Sequence, residues 1–297
     1  MKRTGRLSVA VLGVGLIGLD LATKVMRSRS LSCELVAARD ERTSGLRQAA
    51  ALGLPTATDG IRSLVAAPEP FDVVFDATNA AAHAEHAELL RPSGTFLVDL
   101  TPSKVGHMVV PSVNGAEALK HADVNMVSCG GQASVPILHA ISRRHRIDGA
   151  EVVTTAASQS VGRATRLNID EFVGTTQDAV RDLTGVEDVK AILNISPATP
   201  PATFRVTVSA HGGDLTEESV RAAVTAAAAR VRSFVGGYRV TACAVDQGQA
   251  FVAVEITSSG DRIPRYAGNL DIINAAAIRI AEQYAADRLS LAGAETS

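Results

Sequence analysis

The stretch LSVAVLGVGLIG, residues 7–18, decides the fold of this 297-residue chain. Leu7 to Leu12 is a short aliphatic run that is typical of a buried β-strand. Gly13-Val14-Gly15-Leu16-Ile17-Gly18 follows at once as a GxGxxG loop, and residues 19–28 read as a helix. The first glycine permits a tight turn, the second lets the backbone approach a pyrophosphate, and the third lets helix and strand pack closely. This order of strand, loop and helix predicts a dinucleotide-binding unit.

A second strand and an acidic residue extend this unit. Residues 33–38 (CELVAA) predict the strand, and Asp40 follows it, 22 positions after Gly18. A carboxylate at this distance can bind the ribose hydroxyls of adenosine, which favours NAD. Arg39 and Arg42 flank Asp40 and can instead serve the 2′-phosphate of NADP, so NADP stays the alternative.

The pattern continues with two further strands. Residues 71–76 (FDVVFD) and 95–100 (TFLVDL) are buried-strand runs, and a helical segment at 80–90 separates them. Polar residues at the carboxyl ends of parallel strands face the ligand crevice. The cofactor wall is therefore expected to include Thr78, Asn79 and Thr101. The first half of the chain thus predicts an α/β fold with a Rossmann-type, doubly wound parallel sheet.

Composition and charge exclude several other classes. The net charge is −2 and no long basic run occurs, so a nucleic-acid surface is not expected. No apolar run reaches the length of a membrane span. The three cysteines, Cys33, Cys129 and Cys243, form no CxxC pair, so neither a metal site nor a redox disulfide is predicted. A sparse, odd cysteine count fits a reducing compartment, and we expect a cytoplasmic protein.

Cys129 lies in a context that the other two cysteines lack. Residues 123–128 read as a strand, Cys129-Gly130-Gly131-Gln132 follows, and residues 133–143 have helical spacing with Pro136 in the first turn. This places Cys129 at a helix N-terminus, where we expect a lowered thiol pKa. The glycines would let a substrate oxygen reach backbone N–H groups, as in an oxyanion hole. Cys33 and Cys243 lie within strands and read as small buried hydrophobes.

A reactive thiolate and a nicotinamide cofactor together imply one chemistry. The thiolate adds to an aldehyde carbon and gives a thiohemiacetal, and loss of hydride to the nicotinamide leaves a thioester on Cys129. The acyl group can then pass to water, to coenzyme A or to phosphate. The residues considered so far leave these three acceptors open.

Seven segments give the chain a family resemblance that runs through most of its length. It resembles the acylating acetaldehyde dehydrogenases of aromatic meta-cleavage pathways. The resemblance implies reversible conversion of a short-chain aldehyde, coenzyme A and NAD to acyl-CoA and NADH, as part of aromatic hydrocarbon catabolism. The matching segments are VAVLGVGLIGLDL (9–21), VFDATNAAAH (74–83), LVDLTPSKVG (97–106), VNMVSCGGQASVP (124–136), SQSVGRATRLNIDEF (158–172), ISPATPP (195–201) and YAGNLDIINAAA (266–277).

The resemblance also assigns roles to individual positions. Cys129 matches the cysteine that forms the acyl-enzyme, and Asn269 matches an asparagine that contacts the cofactor. The remaining matches are with the phosphate loop and with a segment that lines the nicotinamide side: Val14, Gly15, Leu16 and Ile17 for the first, and Ser158, Gln159, Ser160, Val161, Gly162, Arg163, Ala164, Thr165 and Arg166 for the second.

Three departures from the family pattern bear on the reaction. Val206 stands where the family usually has an Asp, the favoured candidate for activating the thiol of coenzyme A. The stretch between Val240 and Tyr266 is shorter than usual, and Arg163-Ala164 replaces a Pro-Gly pair. Among other groups that could take the proton, His139 and Asp170 are the candidates.

Val206 motivates a second functional hypothesis. This is a semialdehyde dehydrogenase-like enzyme, or an acyl-thioester reductase of a specialised pathway, with a different acyl acceptor or substrate. A third hypothesis is a non-catalytic nucleotide-binding homologue. The intact Cys129-Gly130-Gly131-Gln132 string argues against this third reading.

The second half of the chain predicts a separate α+β domain. Its strands are expected at 151–157, 189–195, 203–210, 238–245 and 250–256, and its helices at 169–183 and 215–235. We predict a dinucleotide-binding domain over 1–128, a catalytic and dimerisation domain over 129–268, and a C-terminal helix at 269–297 that packs back on the first domain. The resemblance implies a second domain of the semialdehyde/glyceraldehyde-3-phosphate dehydrogenase kind, a homodimer, and a 4-hydroxy-2-oxoacid aldolase as a possible partner.

Overall fold

The computed structural model describes residues 5–259 and 262–294, without the side chains of 163, 164 and 291–294. The chain forms two compact units. The first comprises the described parts of Met1–His107, Gly115–Met126 and Ala277–Ser297, and the second comprises Met108–Asn114 and Val127–Ala276.

A seven-stranded sheet, in the order β3-β2-β1-β4-β5-β7-β6, is the centre of the first unit. The pairs β1–β2, β1–β4, β2–β3, β4–β5 and β5–β7 are parallel. Its strands are β1 (Leu7–Leu12), β2 (Leu31–Ala37), β3 (Thr56–Ala57), β4 (Val73–Asp76), β5 (Phe96–Asp99), β6 (His107–Met108) and β7 (Asp123–Asn125), and the helices in the same stretch of chain are α1 (Leu16–Arg27), α2 (Ser44–Ala51), α3 (Ile61–Val65), α4 (Ala80–Leu90) and α5 (Pro111–Ala118).

The strand order reverses between β1 and β4. From β1 the chain proceeds outward through β2 and β3, and it then returns to place β4 on the other side of β1. In doubly wound sheets, ligands bind outside the carboxyl ends of the two strands at such a reversal. The residues at this point are Gly13, after β1, and Ala77 and Thr78, after β4. The predicted fold class, a Rossmann-type parallel sheet with a second domain, is confirmed.

A five-stranded sheet, in the order β11-β12-β10-β8-β9, forms the second unit. Only β8 and β9 pair in parallel, whereas the other neighbours are antiparallel. The elements are α6 (Cys129–Ser142), β8 (Gly149–Ala157), α7 (Arg163–Leu167), α8 (Ile169–Thr184), β9 (Asp188–Ser196), β10 (Phe204–His211), α9 (Glu217–Arg232), β11 (Tyr238–Asp246), β12 (Gln249–Ile256) and α10 (Gly268–Ala294), of which α10 continues into the first unit.

One face of this second sheet carries the core. Along β10, Phe204, Val206 and Val208 are buried, and the residues between them are more exposed. The buried faces pack with residues of α6, α8 and α9 in a single apolar cluster. Burial of apolar surface stabilises this packing of helices on the sheet by about 25 cal/mol per Å² removed from water. Helix α6, which begins at Cys129, is thereby fixed in the centre of this unit.

Two details correct or explain the sequence reading. The sequence predicted Pro136 in the first turn of its helix. Because α6 begins at Cys129, Pro136 instead lies in the helix interior. Strands β11 and β12 are joined by Gln247 and Gly248, both with positive φ, and such a two-residue turn makes a compact hairpin. This hairpin lies within the segment that is shorter than in the family pattern. None of the described helices is both long enough and apolar enough to span a membrane.

Candidate active site

A strained turn carries Cys129 to the start of α6. Val127 has a φ of 62°, a left-handed value that a β-branched residue rarely adopts. Ser128 then caps the helix, because its hydroxyl oxygen accepts a hydrogen bond of 2.9 Å from the Gly131 N–H. The Ser128 hydroxyl lies 2.7 Å from the Thr176 hydroxyl, which itself donates to the Phe172 carbonyl. Such outliers cluster at functional sites, where the surrounding contacts hold them in place.

The two glycines after Cys129 are required by close packing. A Cβ on Gly130 would lie 2.4 Å from the Thr154 hydroxyl oxygen, and a Cβ on Gly131 would lie 2.6 Å from a Val127 methyl carbon. Thr154 is buried on β8, so the start of α6 rests directly on the sheet. The side-chain cap uses the Gly131 N–H. The N–H groups of Gly130 and Cys129 interact with the Cys129 sulfur and lower the pKa of its thiol.

The expected lowering of the Cys129 pKa is wrong for the protein without substrate. Cys129 packs against the core of the second unit, and burial raises the pKa of its thiol to about 12. The N–H groups of Gly130 and Cys129 act in the opposite direction, as the helix-terminus argument requires, but they do not outweigh burial. Cys33 and Cys243 lie in strands as predicted, but they are half-buried rather than fully buried.

The glycine loop has the shape that a dinucleotide needs. Gly13 has a φ of 97°, and a Cβ there would lie 2.6 Å from the Ala77 carbonyl oxygen. A Cβ on Gly18 would lie 1.8 Å from the Gly13 carbonyl oxygen, so α1 and the loop touch through this glycine. Gly15 is the N-cap of α1 without a side-chain cap, and its Cβ position is open. A pyrophosphate at this helix end would meet N–H donors and no side chain, so these residues fit the cofactor.

The remaining loop positions differ in exposure. Leu16, the first residue of α1, is 59% exposed, whereas Gly18 is buried. The Val14 carbonyl lies against Gly45 of α2, where a Cβ would come within 2.0 Å of its oxygen. This contact holds the loop at a second point besides Ala77. Helix α2 is an element that the sequence reading did not predict.

Asp40 follows β2 on an exposed turn. Its carboxylate accepts a hydrogen bond of 2.8 Å from the Arg42 N–H, and its carbonyl accepts one from the Thr43 hydroxyl. The turn therefore fixes the carboxylate beyond the carboxyl end of β2. Arg39 and Arg42 are also exposed.

The turns after β4 and β5 are tied to buried carboxylates. Both the N–H and the hydroxyl of Thr78 donate to Asp76, and Asn79 caps α4 by accepting from the Ala82 N–H. Thr101 donates its N–H to Asp99 over 2.7 Å, and its own buried hydroxyl has no partner among the described residues. An unpartnered buried hydroxyl at this edge fits a polar ligand group.

Sequence reasoning missed the side chains that hold these turns. Asp76, Asp99 and His83 are fully buried, and Asp123 contributes a partly exposed carboxylate. Three of the four lie within segments quoted for the family resemblance, but no local motif identifies a buried ionic network. In the sequence, the only indication of these side chains was the acidic residue at the end of each of two aliphatic strands, Asp76 and Asp99.

The structure joins Asn269 to the segment over 158–166. The side-chain amide of Asn269 donates a hydrogen bond of 2.9 Å to the Ser160 carbonyl. Its amide oxygen is buried without a partner among the described residues. Ser158–Ser160 form a 3-10 turn, and Arg166 donates to the Ser158 carbonyl and hydroxyl. Val161 is buried and Gly162 exposed, Gln159 is exposed and Thr165 half-exposed. The side chains of Arg163 and Ala164 lie outside the described part of the chain.

Val206 lies in the core rather than in an open site. It is fully buried on β10, between Thr154 of β8 and Val254 of β12. The two groups named as substitutes for an acid here lie on different helices. His139 is in the last turn of α6, about 15 Å along the helix from Cys129 at 1.5 Å per residue. Asp170 is exposed in the first turn of α8.

Comparison with known proteins agrees with this architecture. The structure of aspartate semialdehyde dehydrogenase II from Vibrio cholerae has a TM-score of 0.64 with this chain, at 15% identity, and the match covers 93% of this chain and 97% of that one. The fold is therefore that of the semialdehyde dehydrogenases. The model for the dimerisation domain of prokaryotic acetaldehyde dehydrogenases matches residues 129–264.

Sequence relatives identify the family. A curated acetaldehyde dehydrogenase of Streptomyces griseus is 54% identical over 279 residues, 94% of this chain and 90% of that protein. One of Geobacillus stearothermophilus is 42% identical over 288 residues, 96% of this chain and 98% of that protein. The chain belongs to the acetaldehyde dehydrogenase family, and the predicted family resemblance is confirmed.

Proposed function

We propose that this protein is an acylating, NAD-dependent aldehyde dehydrogenase that works through a thioester on Cys129. The observation that carries the proposal is the start of α6, where the sulfur lies beside the N–H groups of Cys129 and Gly130. Donors at such a place stabilise the oxyanion that forms when a thiolate adds to a carbonyl. The named relatives, which are acetaldehyde dehydrogenases, support a short-chain aldehyde as substrate.

The residues of this chain account for addition and for stabilisation of charge. The Cys129 sulfur bonds to the aldehyde carbon, and the two N–H groups hold the oxygen that becomes negative. A bound nicotinamide supplies the acceptor for the hydride that leaves this carbon. The product is an acyl group on the Cys129 sulfur, ready for transfer.

The high pKa of Cys129 constrains the first step. Because burial raises the pKa of the thiol, the thiolate is a minor species at neutral pH. Attack therefore requires the proton to leave as the carbon–sulfur bond forms, or requires bound substrate to change the environment of the thiol.

Coenzyme A is the proposed acyl acceptor. The family relationship supports it, and Val206 is the observation that favours a second candidate, an enzyme with a different acceptor or substrate. Val206 is apolar and enclosed in the core, so it takes no proton from an incoming thiol. In the leading proposal the thiol of coenzyme A loses its proton to solvent or to another bound group.

We infer NAD rather than NADP as the cofactor. The exposed Asp40 carboxylate is held by a hydrogen bond within its own turn. A carboxylate there would accept hydrogen bonds from the ribose hydroxyls of NAD and repel the 2′-phosphate of NADP. Arg39 and Arg42 are the groups that would reverse this preference. A comparison of NADH and NADPH affinities between wild type and Asp40→Ala tests the assignment. The ratio of the two affinities should shift towards NADPH in the variant.

A homodimer through the second sheet is part of the proposal. The matched family model is a dimerisation domain, and it covers this sheet. Its outward-facing side chains include Phe251, which is 42% exposed, and Glu255, which pairs with Arg205 at 2.9 Å and Arg239 at 2.7 Å. Sedimentation of wild type and Phe251→Asp tests this face. The aldolase partner implied by the resemblance is a further proposal that co-purification of the two proteins would test.

The central test is a coenzyme A requirement. Purified protein with NAD and acetaldehyde should form NADH in proportion to added coenzyme A, with acetyl-CoA as the product. Cys129→Ala should abolish this turnover and still bind NADH as the wild type does. NADH formation that does not depend on coenzyme A would replace the leading proposal by the second candidate.

A further inference from the structure

Four charged side chains form what we call the His83 network: Asp76, His83, Asp99 and Asp123. Asp76 and Asp99 end the neighbouring strands β4 and β5, Asp123 begins β7, and His83 projects from α4. His83 Nδ1 lies 2.9 Å from Asp76 Oδ2 and 3.5 Å from Asp99 Oδ1, and its Nε2 lies 3.3 Å from Asp123 Oδ2. One ring therefore links three strands of the sheet.

Geometry fixes the charge of this ring. Both nitrogens of His83 face carboxylate oxygens, and an ionised carboxylate only accepts hydrogen bonds, so both nitrogens must carry a proton. Burial alone would lower the pKa of His83, but hydrogen bonds to Asp123 and Asp76 raise it to about 10. The spacing of Asp76, His83 and Asp99 would also suit a metal ion, but a ligating nitrogen cannot carry the proton that it gives to Asp76.

Asp76 and Asp99 each bind a turn as well as facing His83. Asp76 Oδ2 accepts a hydrogen bond from His83, and its Oδ1 accepts hydrogen bonds from the N–H and the hydroxyl of Thr78. Asp99 Oδ1 accepts from the N–H of Thr101, and its Oδ2 accepts from Asn125 and Ser103. The same carboxylates that hold the buried cation thus hold the two turns.

These turns lie where a dinucleotide is expected. The Thr78 turn begins at Ala77, whose carbonyl is the atom that a Cβ on Gly13 would meet at 2.6 Å. Thr101 offers a buried hydroxyl without a described partner at the next strand end. The network is thus connected by direct hydrogen bonds to the turn after β4, which lies at the sheet reversal, and to the turn after β5, the neighbouring strand.

We propose that His83 is a positioning residue for the dinucleotide crevice: as a buried cation it holds Asp76 and Asp99 so that they fix the Thr78 and Thr101 turns. This inference rests on the proposed nicotinamide-dependent function, since it names the device that shapes the cofactor site. His83 does not touch the cofactor. It acts through the two aspartates, and Asp123 anchors its other nitrogen.

His86 provides a matched control. It lies one helical turn further along α4, and its Nδ1 is 2.7 Å from the same Asp76 oxygen. Unlike His83, it has no second carboxylate within hydrogen-bond distance among the described residues, so it contacts Asp76 alone. The groups that face His83 are Asp76, Asp99 and Asp123 from the sheet, with His86 from its own helix sharing Asp76.

The first test measures NADH affinity by fluorescence titration of wild type, His83→Gln and His86→Gln, at a temperature where all three are folded. When the groups that align a ligand move by about 1 Å, the ligand loses much of its binding or reaction rate. His83→Gln should therefore weaken NADH binding on the order of tenfold or more. His86→Gln removes a contact to Asp76 alone and leaves His83 facing Asp76, Asp99 and Asp123, so it should weaken binding less than His83→Gln does. Equal affinity of wild type and His83→Gln would overturn the inference, because a merely structural residue changes stability without changing affinity.

The second test needs no cofactor. Nitrogen-15 NMR of the histidine rings in wild type at pH 8 should show both His83 nitrogens protonated, and Asp123→Asn should lower the pH at which the ring loses a proton. Asp123→Asn removes one charge at a side chain that is 21% exposed, and it serves if His83→Gln fails to fold. A neutral His83 at pH 8 overturns the inference alone. Failure of wild type to bind NADH or NADPH overturns the proposed function.

Discussion

Gly15→Ala should separate dinucleotide binding from folding. The Cβ of an alanine at this position meets no atom within 4 Å, and the backbone angles, φ −69° and ψ −169°, are open to alanine. Alanine is a poorer N-cap than glycine, at a cost of about 0.5–1 kcal/mol. It also restricts the unfolded chain, a gain of about 0.4–1 kcal/mol. The two terms nearly cancel, so the free energy of unfolding should change by less than about 1 kcal/mol.

Binding should respond quite differently. In the proposed site, a pyrophosphate approaches the backbone N–H groups of α1 through the open space beside Gly15, so a methyl group there would crowd the ligand. Forcing one extra methyl group into a close contact costs about 1–3 kcal/mol. At 1.4 kcal/mol for each factor of ten, NADH affinity should fall about 5- to 150-fold.

Gly18→Ala is the matched contrast. Its Cβ would lie 1.8 Å from the Gly13 carbonyl oxygen, so the loop and α1 must separate and the protein must lose stability. Urea unfolding gives the stability of both variants, and NADH fluorescence titration gives their affinity. Wild-type affinity in Gly15→Ala would refute the assignment of this loop to the cofactor. Wild-type stability in Gly18→Ala would refute the packing argument.

Four further predictions concern the thiol site and the buried polar groups. Since burial raises the pKa of Cys129, the rate of thioester formation should rise with pH between pH 7 and 9 in stopped-flow traces, and a flat profile would contradict attack by a thiolate that ionises in this buried environment. Gly130→Ala should lower turnover by more than tenfold, because its Cβ would lie 2.4 Å from the Thr154 hydroxyl, whereas Gly213→Ala, with an open Cβ position, should be unaffected in the same assay. Tyr238→Phe should cost about 0.5–1.5 kcal/mol in urea unfolding, since the buried hydroxyl donates 2.7 Å to the Ala133 carbonyl. The pKa of His83 in the folded protein, about 10, is raised above its unfolded value near 6.5. Protonated His83 therefore stabilises the folded state fully below pH 6.5, and this contribution is lost as the pH rises through about 10. Unfolding curves between pH 7 and 10.5 should show this loss in wild type and not in His83→Gln.

Local patterns were sufficient for most strands of the two sheets, but not for the two-residue strands β3 and β6. The run from Leu7 to Leu12 is β1 with the predicted bounds, and the helix at 80–90 is α4. Both signals are contained in a few consecutive residues, an aliphatic strand bounded by glycine and an alanine-rich helix after an Asn cap. The short elements α2 and α3 gave no comparable signal, because eight and five residues are too few to show a helical period.

Contacts between distant positions could not be predicted in this way. Asn269 donates to Ser160 across 109 positions, and His83 meets Asp123 across 40. The family resemblance named Asn269 and Ser160 separately, but only the folded chain joins them. The His83 network has no motif at all, since what distinguishes its aspartates from surface aspartates is burial, and burial depends on the whole sheet.

The pKa of Cys129 shows which of two physical effects the sequence can reveal. A helix N-terminus is visible in the sequence, and its field is worth about 0.3–2 kcal/mol, or at most about 1.5 pKa units. Burial is not visible in the sequence and can raise the pKa of a thiol by 3–5 units. Burial therefore prevails in the protein without substrate, and the N–H groups of Cys129 and Gly130 gain importance only when negative charge develops.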